Sequence, residues 1–130
     1  MKTVKITRDS VAKIIDFPQD YKAMQQEIGA DLVERVKTRR MIKHLGSDVS
    51  FLCDEDFWRK YGHSDSREAA KHLNAPASTL YDGVILGDVF FVKEEGENWR
   101  GFDSIELMEL VLALKDFFGE YLEWEDNENE

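Results

Sequence analysis

Gly83-Val84-Ile85-Leu86-Gly87-Asp88-Val89-Phe90-Phe91-Val92 is the longest apolar run weighted toward β-branched and aromatic residues. Tyr81-Asp82-Gly83 before it and Glu94-Glu95-Gly96-Glu97-Asn98 after it are turn chemistry. A continuous apolar run between turns reads as a strand buried on both faces. The run is therefore expected to be the central strand of the domain. Gly83-x3-Gly87 resembles a phosphate-binding loop only superficially, since no Lys-Ser/Thr follows and no helix is expected to open at Gly87. Gly87 is instead assigned a structural role, a bulge or close backbone approach. Asp88 is the odd residue, because a carboxylate in a buried strand requires a partner. Arg100 or backbone donors from a neighbouring loop would supply it, so structural anchoring is the favoured role and a functional carboxylate the second.

Working outward, Thr3–Thr7 and Val11–Phe17 alternate in polarity and predict an N-terminal hairpin. Pro18 suits a first helical turn, with Asp16 near the cap and Tyr21, Met24 and Ile28 as an apolar stripe. Gly29 closes that helix as a left-handed cap, giving a helix over Pro18–Ile28. Leu32–Ile42 is read as a strand beginning, and Val49–Cys53 as another. Asp54-Glu55-Asp56 then opens a hairpin-like turn into Phe57–Tyr61. Ser64 or Ser66 caps a short helix over Arg67–Leu73, and Ala77–Tyr81 is a further helical turn. Trp99–Phe102 is a short edge segment. Asp103 as cap with Glu106 three residues on predicts a helix over Ser104–Phe118. Ile105, Met108 and Leu112, with Leu107, Leu110, Val111 and Leu114, give it a wide apolar face.

The fold expected is α+β: a small, mostly antiparallel sheet of four to five strands with two main helices packed on it. Residues 1–122 form one domain, and the acidic segment 123–130 should fray. A chain of 130 residues with 42% apolar content can bury a single core without disulfides. The first residues alternate polar and apolar, so no hydrophobic leader is expected, and no run approaches the roughly 18 apolar residues of a membrane span. The single cysteine, Cys53, fits a reducing compartment, so a cytoplasmic location is expected.

The net charge of −10 is uneven: residues 1–45 hold 10 Lys/Arg against 6 Asp/Glu, and residues 46–130 hold 7 against 21. Such a chain is a poor direct nucleic-acid binder, because cationic side chains supply most of that affinity. Basic protein surfaces are the better partners, although charge of this size also serves solubility alone.

Candidate chemistry is sparse, and no residue is assigned a catalytic role. Cys53, His63 and His72, with Asp54 or Asp56, do not match zinc-ligand spacing. Asp54, Glu55 and Asp56 would raise the pKa of Cys53, against the needs of a nucleophilic thiol. Asp54-Glu55-Asp56 and Glu94-Glu95 lack the ligand alternation of a calcium loop and read as solvated turns. No metal or cofactor is expected. Trp58, Tyr61, Trp99 and Phe102 lie in less periodic segments, where any exposed ring would be an interaction hot spot. Asp54, Glu55, Asp56, Trp58, Glu94, Glu95 and Trp99 are the candidate interaction surface; Gly29, Gly87, Asp88 and Asp103 are structural.

Ile28-Gly29-Ala30-Asp31-Leu32-Val33-Glu34, Cys53-Asp54-Glu55-Asp56-Phe57, Asn74-x2-Ala77-x2-Leu80 and Ile85-Leu86-Gly87-Asp88-Val89 occur in the order of motifs in one family. Over roughly residues 1–118 the chain resembles small proteins of phages, plasmids and integrative elements of Gram-positive gut bacteria, grouped as a domain of unknown function. The family's Gly-Gly-Tyr-Ile-Glu is replaced at the first of these segments, and its turn glycine is missing after Asp56. Lys60–Leu73 and the acidic tail also depart from the pattern. The resemblance implies a mobile-element origin and carries over no catalytic residue.

The reading reached is a non-enzymatic interaction protein that binds a host or element protein through an acidic surface. One version inhibits a nucleic-acid-handling enzyme by competing for its basic groove. The alternative is a small metal-dependent or carboxylate enzyme using Asp54, Asp56, Asp88 and the histidines. A homodimer paired through an edge strand such as the N-terminal one is a further arrangement to test.

Overall fold

The computed structural model describes residues 1–61 and 66–125. Period-two alternation yields the expected hairpin, β1 (Lys2–Ile6) and β2 (Val11–Asp16), paired from Lys2–Asp16 to Ile6–Ala12. α1 (Tyr21–Ile28) starts later than Pro18. Its cap is Asp20, which accepts from the Ala23 N–H at 2.8 Å, whereas Asp16 ends β2 and pairs with Lys2. Gly29 terminates α1 at φ 75°, as its cap assignment required.

The strand expected over Leu32–Ile42 is shorter: β3 covers Val33–Val36 and then α2 takes Arg39–Leu45. Thr38 makes the switch by accepting from the Met41 N–H at 3.3 Å, and Met41 is buried. β4 (Val49–Asp54) follows and is buried throughout. Phe57–Tyr61 is not a hairpin arm but a short helix, α3. The Asp54 carboxylate accepts from the Asp56 N–H at 2.8 Å and turns the chain into it. α4 (Ser66–Lys71) and α5 (Ala75–Tyr81) come next, with Asn74 capping α5 through Ala77 N–H. The proposed cap Ser64 lies outside the described residues.

The central strand is shorter than the apolar run, since β5 spans Val89–Glu95. Asp82 at φ 67° and Gly87 at φ 88° interrupt the extended backbone ahead of it. Ile85 and Leu86 are nonetheless buried, as loop anchors: Ile85 N–H donates to Ser78 Oγ at 2.9 Å, and Leu86 bridges Leu73. β6 (Asn98–Arg100) returns along β5, and α6 covers Ser104–Phe118 with the full capping box of Asp103 and Glu106. After a 3-10 turn at Gly119–Tyr121, β7 (Glu123–Trp124) pairs parallel with Val11–Ala12 of β2. Glu123–Glu125 is therefore hydrogen-bonded to the sheet, since Glu125 N–H also donates to the Ala12 carbonyl at 2.8 Å. Residues 126–130 of the acidic tail lie outside the described residues.

The architecture is α+β, with a mostly antiparallel sheet of seven strands in the order β3-β4-β5-β1-β2-β7 and β6 beside β5. The extra strands over the four to five expected are short ones that propensity signals poorly. β1 touches β5 only at Lys5–Phe90 and Ile6–Val89 and then diverges. The buried Thr3 hydroxyl donates to the Phe91 carbonyl at 2.5 Å in place of a ladder bond, and Lys2 bridges Phe102 beyond β6. β1 is thus interior, and β7 pairs with the outer edge of β2 at Val11–Ala12 only.

The larger face of the sheet carries Ile6, Phe51, Cys53 and Phe91 against Met41, Leu80, Leu110 and Leu114. The other face carries Leu52, Phe90 and Val92 against Met24 of α1, with Trp99 half-buried at its margin. Among the described residues no helix is long and apolar enough to cross a membrane.

Candidate functional site

The carboxylates expected to form an acidic surface are divided between the two ends of the sheet, and most are held by bases. Antiparallel pairing of Val49 with Lys93 and of Leu52 with Phe90 sets Asp54 at one end and Glu94 and Glu95 at the other. Glu94 accepts from Arg35 at 2.5 Å and Lys37 at 2.7 Å. Partial burial works to raise its pKa, but those two hydrogen bonds outweigh it and the carboxyl titrates below its ordinary value. Glu95 pairs with Arg100 at 2.8 Å, and Arg100 also grips Glu106 through two bonds of 2.7 and 2.9 Å. With Arg100 first and the Asp103 N–H second, Glu106 is pulled down to about 2.

At the opposite end Asp54 is 3% exposed and pairs with Lys60 at 2.7 Å. Lys60 also donates to the Gly29 carbonyl, while Lys5 bonds the Glu27 carbonyl and carboxylate. These two ammonium groups thus satisfy carbonyls at the C-terminus of α1, where the helix dipole favours positive charge. Asp88 faces Lys5 at 3.7 Å and accepts from the Arg8 N–H at 3.0 Å. Its partners are a lysine and a loop donor, not Arg100. Asp56 turns outward to Arg59, and Glu55 is exposed. Trp58 lies on α3, but its side chain is outside the description.

The register brings Asp54 and Asp88 to the same end of the α1-covered face, each two residues beyond the Leu52–Phe90 pair. Lysines occupy the positions around them that a cation would need. His72 instead contacts Arg8 at 2.5 Å, His44 packs edge-on against Phe117, and His63 lies outside the described residues. Among the described residues no group of three or more His, Cys, Asp or Glu could hold a metal ion. Cys53 is fully buried, and its thiol is pushed up to about 12 by that burial and by Glu34, Asp54 and Glu55. It is a packing residue of β4. A cleft of about 490 Å³ lies over it, between β3, Phe57 and the Tyr81–Ile85 segment, with Glu34, Arg35, Lys37 and Glu55 among its lining residues.

The feature that periodicity did not expose is on α6. Leu110, Leu114 and Phe118 face the core, with Leu107, Val111 and Phe117 partly buried beside them. At 100° per residue, Ile105 and Leu112 fall on the opposite pole, with Met108 close by. They are 65%, 59% and 56% exposed. Glu109 and Asp116 flank this stripe, both exposed, and among the described residues neither carboxylate has an ion-pair or hydrogen-bond partner. Lys115, the one base of the helix, is drawn aside onto the Trp124 ring at 5.3 Å. The signal was present in sequence as an excess: apolar residues surround this helix instead of filling one stripe, which marks a helix covered on more than one side.

The chain matches no family model, no curated protein and no solved structure.

Proposed function

We propose that the protein is a non-enzymatic protein-binding module whose partner docks on the outer face of α6. The observation that carries this reading is the contiguous stripe of Ile105, Met108 and Leu112, each more than half exposed on a helix anchored by its other face. Single exposed apolar residues are ordinary, but an ordered row of them on rigid structure is the form of a docking surface. The mobile-element origin suggested by residues 1–118 makes a host or element protein a reasonable partner. Competition for a basic nucleic-acid groove has less support, because Asp54, Glu94 and Glu95 already hold Lys60, Arg35, Lys37 and Arg100. The enzyme alternative has less support for the same reason at Asp54 and Asp88.

Capture of partners by tagged protein, compared across variants, tests the proposal. Proteins retained by the wild type should be lost with Ile105→Gln, Met108→Gln and Leu112→Gln combined, and kept with Glu94→Gln plus Glu95→Gln. The reverse pattern would return the function to the acidic strand ends.

A further inference from the structure

The partner's own chemistry is legible in how the outer face of α6 is laid out. Ile105, Met108 and Leu112 are spaced three and four, the first layers of a heptad seam, and Lys115 would continue it. Glu109 and Asp116 stand seven residues apart on the same flank, roughly 10 Å along the helix at 1.5 Å per residue. Among the described residues both carboxylates lack partners, and the single base of the helix, Lys115, lies against the Trp124 ring, so this flank carries two negative charges without a countercharge.

Resting on the docking reading above, we infer that this face takes an amphipathic helix of another protein, with an apolar ridge flanked by Lys or Arg at heptad spacing. Such a helix would set its ridge between Ile105, Met108 and Leu112 and place its bases against Glu109 and Asp116. A second copy of the chain fits less well. Antiparallel pairing across a two-fold axis brings the Glu109–Asp116 flanks of both copies together, and parallel pairing stacks Lys115 on its counterpart. The net charge of −10 per chain adds to that repulsion. An anionic lipid surface would likewise be repelled by the free carboxylates.

Two labelled synthetic peptides test the inference, each of three heptads with the same leucine seam, one flanked by lysine and the other by glutamate. Anisotropy titrations should show the lysine peptide bound about tenfold more tightly, the ratio that two exposed ion pairs supply, with the gap narrowing at high salt. Glu109→Lys with Asp116→Lys should invert the preference. Equal affinity for both peptides, or a preference the charge reversal leaves intact, overturns the basic-helix assignment. If such binding still vanishes in the Ile105/Met108/Leu112→Gln variant, the docking reading survives. Binding of neither peptide also overturns the assignment, and partner capture unchanged in the triple variant would remove the docking reading as well. Sedimentation of the protein alone showing stripe-dependent dimers would make the occupant a second copy and equally overturn it.

Discussion

The two faces of α6 carry nearly the same side chains in opposite circumstances. Inward, Leu110 and Leu114 are buried among β-strand residues, and the carboxylate on the flank, Glu106, is gripped by Arg100. Outward, Ile105 and Leu112 stand in solvent, and among the described residues Glu109 and Asp116 have no base to hold them. Availability, more than residue type, is what differs between the two faces. The acids at the strand ends belong with the inner face: they are acidic in composition but engaged in structure.

The sharpest way to break this contrast is truncation on each side of the helix. Leu114→Ala should lower unfolding free energy by about 4 kcal/mol, because it removes buried methyl groups and leaves a cavity. Leu112→Ala should change it by less than about 0.5 kcal/mol. Urea melts of the two variants check this, and equal losses would erase the distinction.

A smaller effect separates engaged from free carboxylates. Asp54→Asn keeps an acceptor for the Asp56 N–H but leaves the Lys60 ammonium without its countercharge, which should cost about 1.5 kcal/mol. Asp116→Asn should be neutral in the same melt. Removing the cap with Asp103→Ala should cost about 1 kcal/mol, since the Glu106 N–H loses its acceptor while the backbone N–H of residue 103 can still donate to the Glu106 carboxylate. A melting temperature unmoved by that change would show that α6 is fixed by packing alone.

The smallest effect is on pH dependence. The folded-state pKa of Glu106 is depressed from 4.5 to about 2, so its contribution to stability is present above about pH 4.5 and is lost as pH falls toward 2. Glu106→Gln should therefore flatten the melting temperature against pH across that window. A steepened profile for Glu106→Gln would contradict the sign of the shift.

Much of the scaffold was legible in the residues. Alternation in Thr3–Ile6 and Val11–Ile15 marks the hairpin, Gly29 the end of α1, and Asp103 with Glu106 the start of α6. Local signals fail where a tertiary partner decides. Val33–Val36 reads as a strand that continues, until Thr38 caps a helix whose apolar residues Met41 and Leu45 pack toward the core. Val84–Asp88 reads as strand, but two left-handed residues and the bond from Gly87 N–H to the His72 carbonyl make it a loop packed over the core. The ion pairs of the candidate acidic residues were illegible for a different reason. Arg35 and Lys37 reach Glu94 across separations of 59 and 57 residues, which no local pattern reports. The outer stripe of α6 was visible as apolar content all round the helix, but only the layer order shows that none of the described residues covers it.

The stripe is open in the folded protein and takes no part in holding it together. Denaturant unfolding of the Ile105→Gln, Met108→Gln and Leu112→Gln triple variant tests it most directly, since glutamine keeps helix propensity close to that of the residues removed. An unfolding free energy within about 1 kcal/mol of the wild type is the predicted result. A loss of about 6 kcal/mol or more, the scale of three buried large-to-small changes, would show instead that the face is part of the core.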